Sequence, residues 1–241
     1  MNINRLQRYV EGFQNPNGSI AVNNCIKATA EYVLVHRFCP ALHIGDIQKA
    51  QMYLLDQLPV FAFHDIKKGF DSMEEIWQIA VGIPEETVFL SEKFLTLCKR
   101  MDVSVKSSLL LVLLLQKVKG IQNILKEVIA YQKKLFDTVS LDTVYETTHN
   151  VMTFYAALPD YNVQGIISDS CSWLLDHGVE FQNCIDAFAE TAGVLQMCKY
   201  DADTFLSVLD LNQNKDGGYP VFAGGESAFH SSLVTLWAFS Y

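Results

Sequence analysis

Basic residues are few and scattered in this chain: Lys and Arg number 18 against 27 Asp and Glu, a formal charge of −9, and nowhere do they cluster. A nucleic-acid groove draws much of its affinity from neutralised phosphates, so this balance argues against one and suits a basic partner or a neutral substrate. Charge of either sign is thin, at 19% of residues, whereas half of the chain is hydrophobic, enough apolar surface for a large core. No CxxC pair occurs among Cys25, Cys39, Cys98, Cys171, Cys184 and Cys198, and the N-terminus lacks the basic-then-apolar pattern of a secretory signal. Reduced thiols in a cytoplasmic protein are therefore expected. The longest purely apolar run, Leu109 to Leu115, falls far short of the roughly 20 residues that span a bilayer, and predicts a buried core helix instead. No linker divides the 241 residues, so one domain is expected.

Helical periodicity fills the chain, with breaks at regular intervals. Residues 3–14 place Leu6, Tyr9, Val10 and Phe13 on one stripe. Residues 23–38 are more uniformly apolar, and 46–58 are amphipathic up to Pro59. Residues 59–71 read as a connection with a turn at Gly69, after which Ser72 and Glu75 form a capping box for a helix to Val81. Pro84-Glu-Glu opens a helix to Arg100, because proline and acidic residues suit a first turn. Further helices are predicted over 104–119, 121–136, 141–158, 165–177 (with Gly178 as a left-handed cap), 182–200, 201–213, and from about Glu226 to the end. These twelve alternate between a half-wet and a mostly buried type. Two concentric rings, built from six helical hairpins, require that alternation. The predicted class is all-α.

Internal similarity points the same way. The turn Gln14-Asn-Pro-Asn-Gly18-Ser-Ile20 answers Gln213-Asn-Lys-Asp-Gly217-Gly-Tyr219, and Asn24 to Glu31 (NCIKATAE) answers Asn183 to Glu190 (NCIDAFAE). The glutamine can bond free carbonyls at a helix end, the glycines permit positive φ, and the aromatic residue packs between hairpins.

The spacing Gln213-Gly217-Tyr219, followed by Gly224-Gly225-Glu226 and an apolar helix, resembles the repeat of terpenoid cyclases and protein prenyltransferase β subunits, in which tryptophan ordinarily stands where Tyr219 and Ile20 stand here. The resemblance implies an α6/α6 toroid with a central cavity. It implies an isoprenoid or similar apolar substrate, with prenyl transfer or cyclisation as the chemistry. Two other readings stand beside it: a non-catalytic toroid that binds a peptide or partner protein, and an enzyme acting on a non-isoprenoid natural-product intermediate.

In such a toroid the starts of the inner helices converge on one mouth, where free N–H groups attract anions such as diphosphate. That mouth would gather Asn24 and Cys25, Ser72 and Glu74, Lys106 and Ser107, Tyr145 with Glu146 and His149, Cys184 and Asp186, and Glu226 and His230. Protein prenyltransferases hold a zinc with Asp, Cys and His at similar places. Cys184 and His230 match the last two, Gln182 stands where the Asp should be, and Asp186 is the substitute if it turns toward the same point. The plainer reading makes Cys184 a buried counterpart of Cys25 and His230 a hydrogen-bonded cavity histidine. Glu146 and His149, at i and i+3, are candidates for acid–base work or for a polar cavity lining. Asp201-Ala-Asp203-Thr204 resembles the acid motif of class II terpene cyclases but lacks its last Asp, and reads as a helix cap. His64, Asp169 and His177 are expected on outer helices or connections. Phe63, Trp77, Phe154, Tyr155, Phe188, Phe229, Trp237 and Phe239 could line the cavity or fill the core.

Overall fold

The computed structural model describes residues 2–42, 44–64 and 70–241. Among them are twelve α-helices: α1 (Ile3–Glu11), α2 (Cys25–Phe38), α3 (Ile47–His64), α4 (Phe70–Gly82), α5 (Ser91–Cys98), α6 (Val103–Leu115), α7 (Gln122–Leu135), α8 (Leu141–Ala157), α9 (Gln164–His177), α10 (Ile185–Met197), α11 (Asp203–Leu211) and α12 (Phe229–Ala238). Two short 3-10 segments, Pro84–Leu90 and Gly178–Phe181, and a two-residue hairpin, Tyr219–Pro220 with Ser227–Ala228, complete the described elements. The chain is all-α. None of its described helices is long and apolar enough to cross a membrane.

Burial differs most at the extremes, whereas α2 and α9 each bury six of their 14 residues. In α6 the residues from Leu109 to Leu114 are all buried, and in α10 so is every residue from Ile185 to Leu195. By contrast α1 buries only Leu6 and Val10, and α11 only Phe205 and Leu209. The even-numbered helices pack in series, α2 on α4, α4 on α6, α6 on α8, α8 on α10 and α10 on α12, and α12 returns to α2. Odd-numbered helices lie against this series: α3 on α2 and α4, α7 on α6 and α8, α9 on α8, α11 on α10, α1 on α12. Each fully buried leucine, such as Leu110 and Leu113, contributes about 2 kcal/mol by leaving water, so the apolar series carries most of the stability.

The two matched turns are built alike. Gln14 donates to the Asp46 carbonyl and accepts from the Asp46 amide, both at 2.7 Å; Gln213 does the same with Asn2, at 3.1 and 2.8 Å. Asp46 and Asn2 each stand just before an odd-numbered helix, so the glutamine ties its turn to the start of α3 or of α1. Gly18 and Gly217 have φ of +92° and +99°. A Cβ there would lie 2.1 Å from the Lys49 carbonyl oxygen or 2.9 Å from that of Arg5, so only glycine permits the approach. Next, the amides of Ile20 and Tyr219 donate to Thr29 and Ser232, hydroxyls in the helices that follow. The glutamine thus bonds across hairpins rather than to the helix end that precedes it.

Several boundaries differ from the sequence reading. Helix α3 passes through Pro59 to His64 rather than stopping; the ring forfeits one i→i−4 bond, and the bonds of the other turns carry the helix on. Helix α4 begins at Phe70, so Ser72 lies inside it and is not its cap. The stretch after Pro84 starts as a 3-10 segment, its Thr87 hydroxyl donating to the Pro84 carbonyl at 3.1 Å, before α5 proper. Gly178 is right-handed, with φ of −58°, and is small because Phe205 stands against it: a Cβ would lie 3.2 Å from that ring. The final helix starts at Phe229 because the preceding residues pair as the short hairpin. The turn expected at Gly69, and the side chains of Phe63, His64, Ser72 and Glu74, lie outside the described residues.

Candidate functional site

A cavity of about 210 Å³ lies between the even-numbered helices, reached by residues of α2, α4, α6, α8, α10 and α12. Its wall is mostly apolar, with Leu34, Leu111, Met152 and Val234 beside the rings of Trp77 and Trp237. These two are the only cavity-lining members among the described aromatic candidates. Phe188 instead pairs with Phe205 of α11 at 4.8 Å, Phe229 with Phe13 of α1 at 5.3 Å and Tyr155 with Phe38 at 6.5 Å. Trp77 keeps its indole N–H satisfied on the Ser108 carbonyl at 2.9 Å, so it presents carbon to the cavity.

One part of the wall is polar. The i, i+4 spacing of Asp186 and Glu190 puts both carboxylates on one face of α10, and the packing of α12 between α10 and α2 brings His230 against them. His230 Nε2 lies 3.1 Å from Glu190 Oε1 and 3.8 Å from Asp186 Oδ2; its Nδ1 lies 3.1 Å from Glu31 Oε2, on α2. The other oxygen of Glu190 is 3.5 Å from His149 Nε2, on α8, and accepts from the Thr148 hydroxyl at 3.1 Å. Asp186 accepts from Ser231 at 2.7 Å and from Tyr145 at 2.9 Å. A hydroxyl has one hydrogen, so the Cys184 thiol, 3.3 Å from the Tyr145 oxygen, is the donor in that contact. Lys27 completes the edge, 3.8 Å from Glu31.

Asp186 and His230 are second residues of their helices, near the positive dipole ends that favour carboxylates.

Burial and charge compete in this cluster. Burial works to lower His149 and His230, but the carboxylates prevail: Glu190 holds His149 above the usual imidazole range, and hydrogen bonds to Glu190 and Glu31, with the charge of Glu31 and Asp186, hold His230 well above it. Burial would raise Glu190, yet the two histidines hold it well below the usual carboxylate range. Tyr145 is pushed up by burial and by the Asp186 carboxylate, so it remains a donor. The His149 side chain keeps 56% of its surface accessible and lines the cavity.

The sequence candidates divide accordingly. His149, His230 and Asp186 come together, and Glu190, with Glu31, joins them. Cys184 is held by Tyr145 and is not among the three groups (Asp186, Glu190 and His230) whose ligand atoms meet within 4.8 Å. Glu146 turns to α7, where it accepts from Tyr131, and so parts from His149. Lys106 pairs with Glu127, Asn24 caps α2, Cys25 meets the Tyr53 hydroxyl at 3.1 Å, and Glu226 and Asp169 are exposed. His177 pairs with Glu180 at 3.2 Å. Asp201 accepts from the Asp203 amide at 2.9 Å, but Ala202 holds the cap position of α11, so Asp201 closes a turn just before the helix rather than capping it as expected. Glu31 and Glu190 were within reach of sequence reasoning, since they occupy the same place in the two matched octapeptides.

Comparison of this chain with protein-family models, with curated proteins and with solved structures found no match.

Proposed function

We infer that this chain is an α6/α6 toroid whose axial cavity binds a small apolar molecule of isoprenoid type and turns that molecule's reacting end toward His149 and the carboxylates behind it for acid–base chemistry. The packing of α2, α4, α6, α8, α10 and α12 in a series that returns to its start supports the toroid. The single observation that carries the function is an apolar cavity whose one polar wall is a linked His149–Glu190–His230–Glu31 chain.

Size and charge narrow the substrate. An apolar cavity of about 150 Å³ takes benzene, so about 210 Å³ takes roughly eight or nine heavy atoms. A five-carbon dimethylallyl group fits inside it, whereas a ten-carbon geranyl group overfills it and a farnesyl chain does so by more. The three carboxylates are met by His149, His230 and Lys27, so the polar wall offers a bare diphosphate no excess of positive charge. Proton-driven cyclisation or isomerisation of an uncharged substrate therefore fits better than transfer from an unassisted prenyl diphosphate.

Trp77 and Trp237 serve as internal reporters. Titration with dimethylallyl, geranyl and farnesyl alcohols and diphosphates, followed by tryptophan fluorescence, should show saturable binding strongest for dimethylallyl alcohol and weakened in Leu111→Phe, which narrows the cavity. Absence of saturable binding for every compound, or binding indifferent to Leu111→Phe, overturns the reading in favour of a module for a peptide or partner protein.

A further inference from the structure

We propose that Asp186, Glu190 and His230 bind a divalent first-row metal ion, with Glu31 as the group that orients the histidine. One ligand atom from each of the three lies within 4.8 Å of the others, and two of the separations are 3.1 and 3.8 Å. Metal bonds of about 2.0–2.2 Å to nitrogen and oxygen put neighbouring donors about 3 Å apart. Only small side-chain shifts separate the observed geometry from a coordinating one.

The surroundings are those a metal ligand set needs. Glu31 beside Nδ1 of His230 fixes that nitrogen as the protonated one and leaves Nε2 for the metal, which takes the place of the Nε2 proton. Ser231 and Tyr145 hold Asp186, and Thr148 and His149 hold the far oxygen of Glu190. All three donors are thus oriented by neighbours on other residues. Glu190 and His230 line the cavity, so a metal bound there keeps open positions toward any occupant.

The donor set decides the metal class. Two carboxylates and one imidazole, with no sulfur, suit Mn²⁺, Fe²⁺ or Zn²⁺. An Asp–Cys–His zinc set, which the resemblance to prenyltransferases implies, does not fit these residues: Gln182 lacks the carboxylate, and the Cys184 thiol is spent on Tyr145. The inference deepens the reading of the same cavity but fails separately from it, because metal binding is measured without any substrate.

The test uses the full chain purified without a His tag, freed of metal by chelator, and titrated with MnCl₂ and ZnCl₂ by calorimetry and elemental analysis. A single equivalent is expected for one of the two ions. Glu190→Gln and His230→Gln should weaken binding more than about a hundredfold, and Glu31→Gln about ten- to a hundredfold, as for the loss of a supporting contact. Cys184→Ser should leave affinity unchanged. Circular dichroism of each metal-free variant shows whether it is folded; should Glu190→Gln or His230→Gln unfold, Asp186→Asn and Glu31→Gln carry the test. Failure of the wild-type chain to bind either ion, binding indifferent to the ligand substitutions (an adventitious ion only), or loss of binding in Cys184→Ser would each overturn the proposal.

Discussion

Replacing Gly193 by alanine sets two physical effects against each other. Gly193 lies in the middle of α10, where alanine favours the helix by about 1 kcal/mol. But the new Cβ would sit 2.3 Å from Cε3 and 2.5 Å from Cζ3 of Trp237, against a carbon–carbon contact distance of about 3.5–4.0 Å. The indole cannot simply swing away. Its Nε1 donates to the Tyr241 hydroxyl at 3.1 Å, which in turn donates to the Phe38 carbonyl at 3.0 Å, and the ring is only 2% exposed. Overpacking of this kind costs about 1–3 kcal/mol, and the anchored ring puts this position at the upper end. The expected net loss is about 1–2 kcal/mol, which for a chain of this size lowers Tm by roughly 2–8 °C. Differential scanning calorimetry measures it. Trp237→Phe in the same background should return part of the loss, a coupling of about 1 kcal/mol in a double-mutant cycle. Because Trp237 also lines the cavity, ligand affinity should fall with stability. A Gly193→Ala protein as stable as the parent would mean that overpacking costs no more than the helix propensity it gains, and one more stable by about 1 kcal/mol that the close approach of α10 and α12 is not needed.

Gln213→Ala removes the paired bonds to Asn2 and the one to the Gly217 carbonyl, and should cost about 1–2 kcal/mol while speeding amide exchange in α1; unchanged exchange there refutes the tie. Gly217→Ala should be worse than Gly224→Ala by about 1 kcal/mol or more in urea denaturation: both have positive φ, at +99° and +79°, but only the first also meets backbone, the Arg5 carbonyl. Equal losses would leave backbone conformation as the sole cause. Hydrogen bonds from Arg37 hold the Glu85 carboxyl below its usual value, with burial opposing. A depressed carboxylate stabilises above its unfolded pKa and loses that contribution as pH falls through the folded value. Glu85→Gln should therefore cost under about 1 kcal/mol at neutral pH, since Glu85 is largely exposed, and nothing in strong acid. A difference that persists in acid would show that the effect is not ionic.

The electrostatic character of the cavity follows from its position. Asp186, in the first turn of α10, is favoured by the helix dipole, Glu190 and Glu31 lie further along their helices, and the two histidines offset part of the charge of the three. The same placement discourages an anionic ligand and suits a cation, which is why the substrate reading and the metal reading point to different occupants of neighbouring space.

Local chemistry wrote the helices into the sequence. The stripe of Leu6, Val10 and Phe13, the all-round apolar run of α6, and the paired Gln–Gly turns are short-range patterns, so the twelve helices were legible although several of their boundaries were not. Local rules failed where contacts from other elements intervened. Gly178 reads as a left-handed cap, yet Phe205, distant in sequence, is what makes it small, and Ser72 lost its capping role to a helix that starts earlier. The site follows the same division. Sequence placed His149, Asp186 and His230 near helix starts, but a side chain's partner across a cavity depends on helix rotation, which one residue of phase changes by about 100°. Only the packing of α12 between α2 and α10 decided that His230 sits between Glu31 and Glu190, that of α8 on α10 that Cys184 meets Tyr145, and that of α7 on α8 that Glu146 parts from His149. Periodicity fixes which faces are greasy; the way those faces interlock fixes which few polar groups meet inside them.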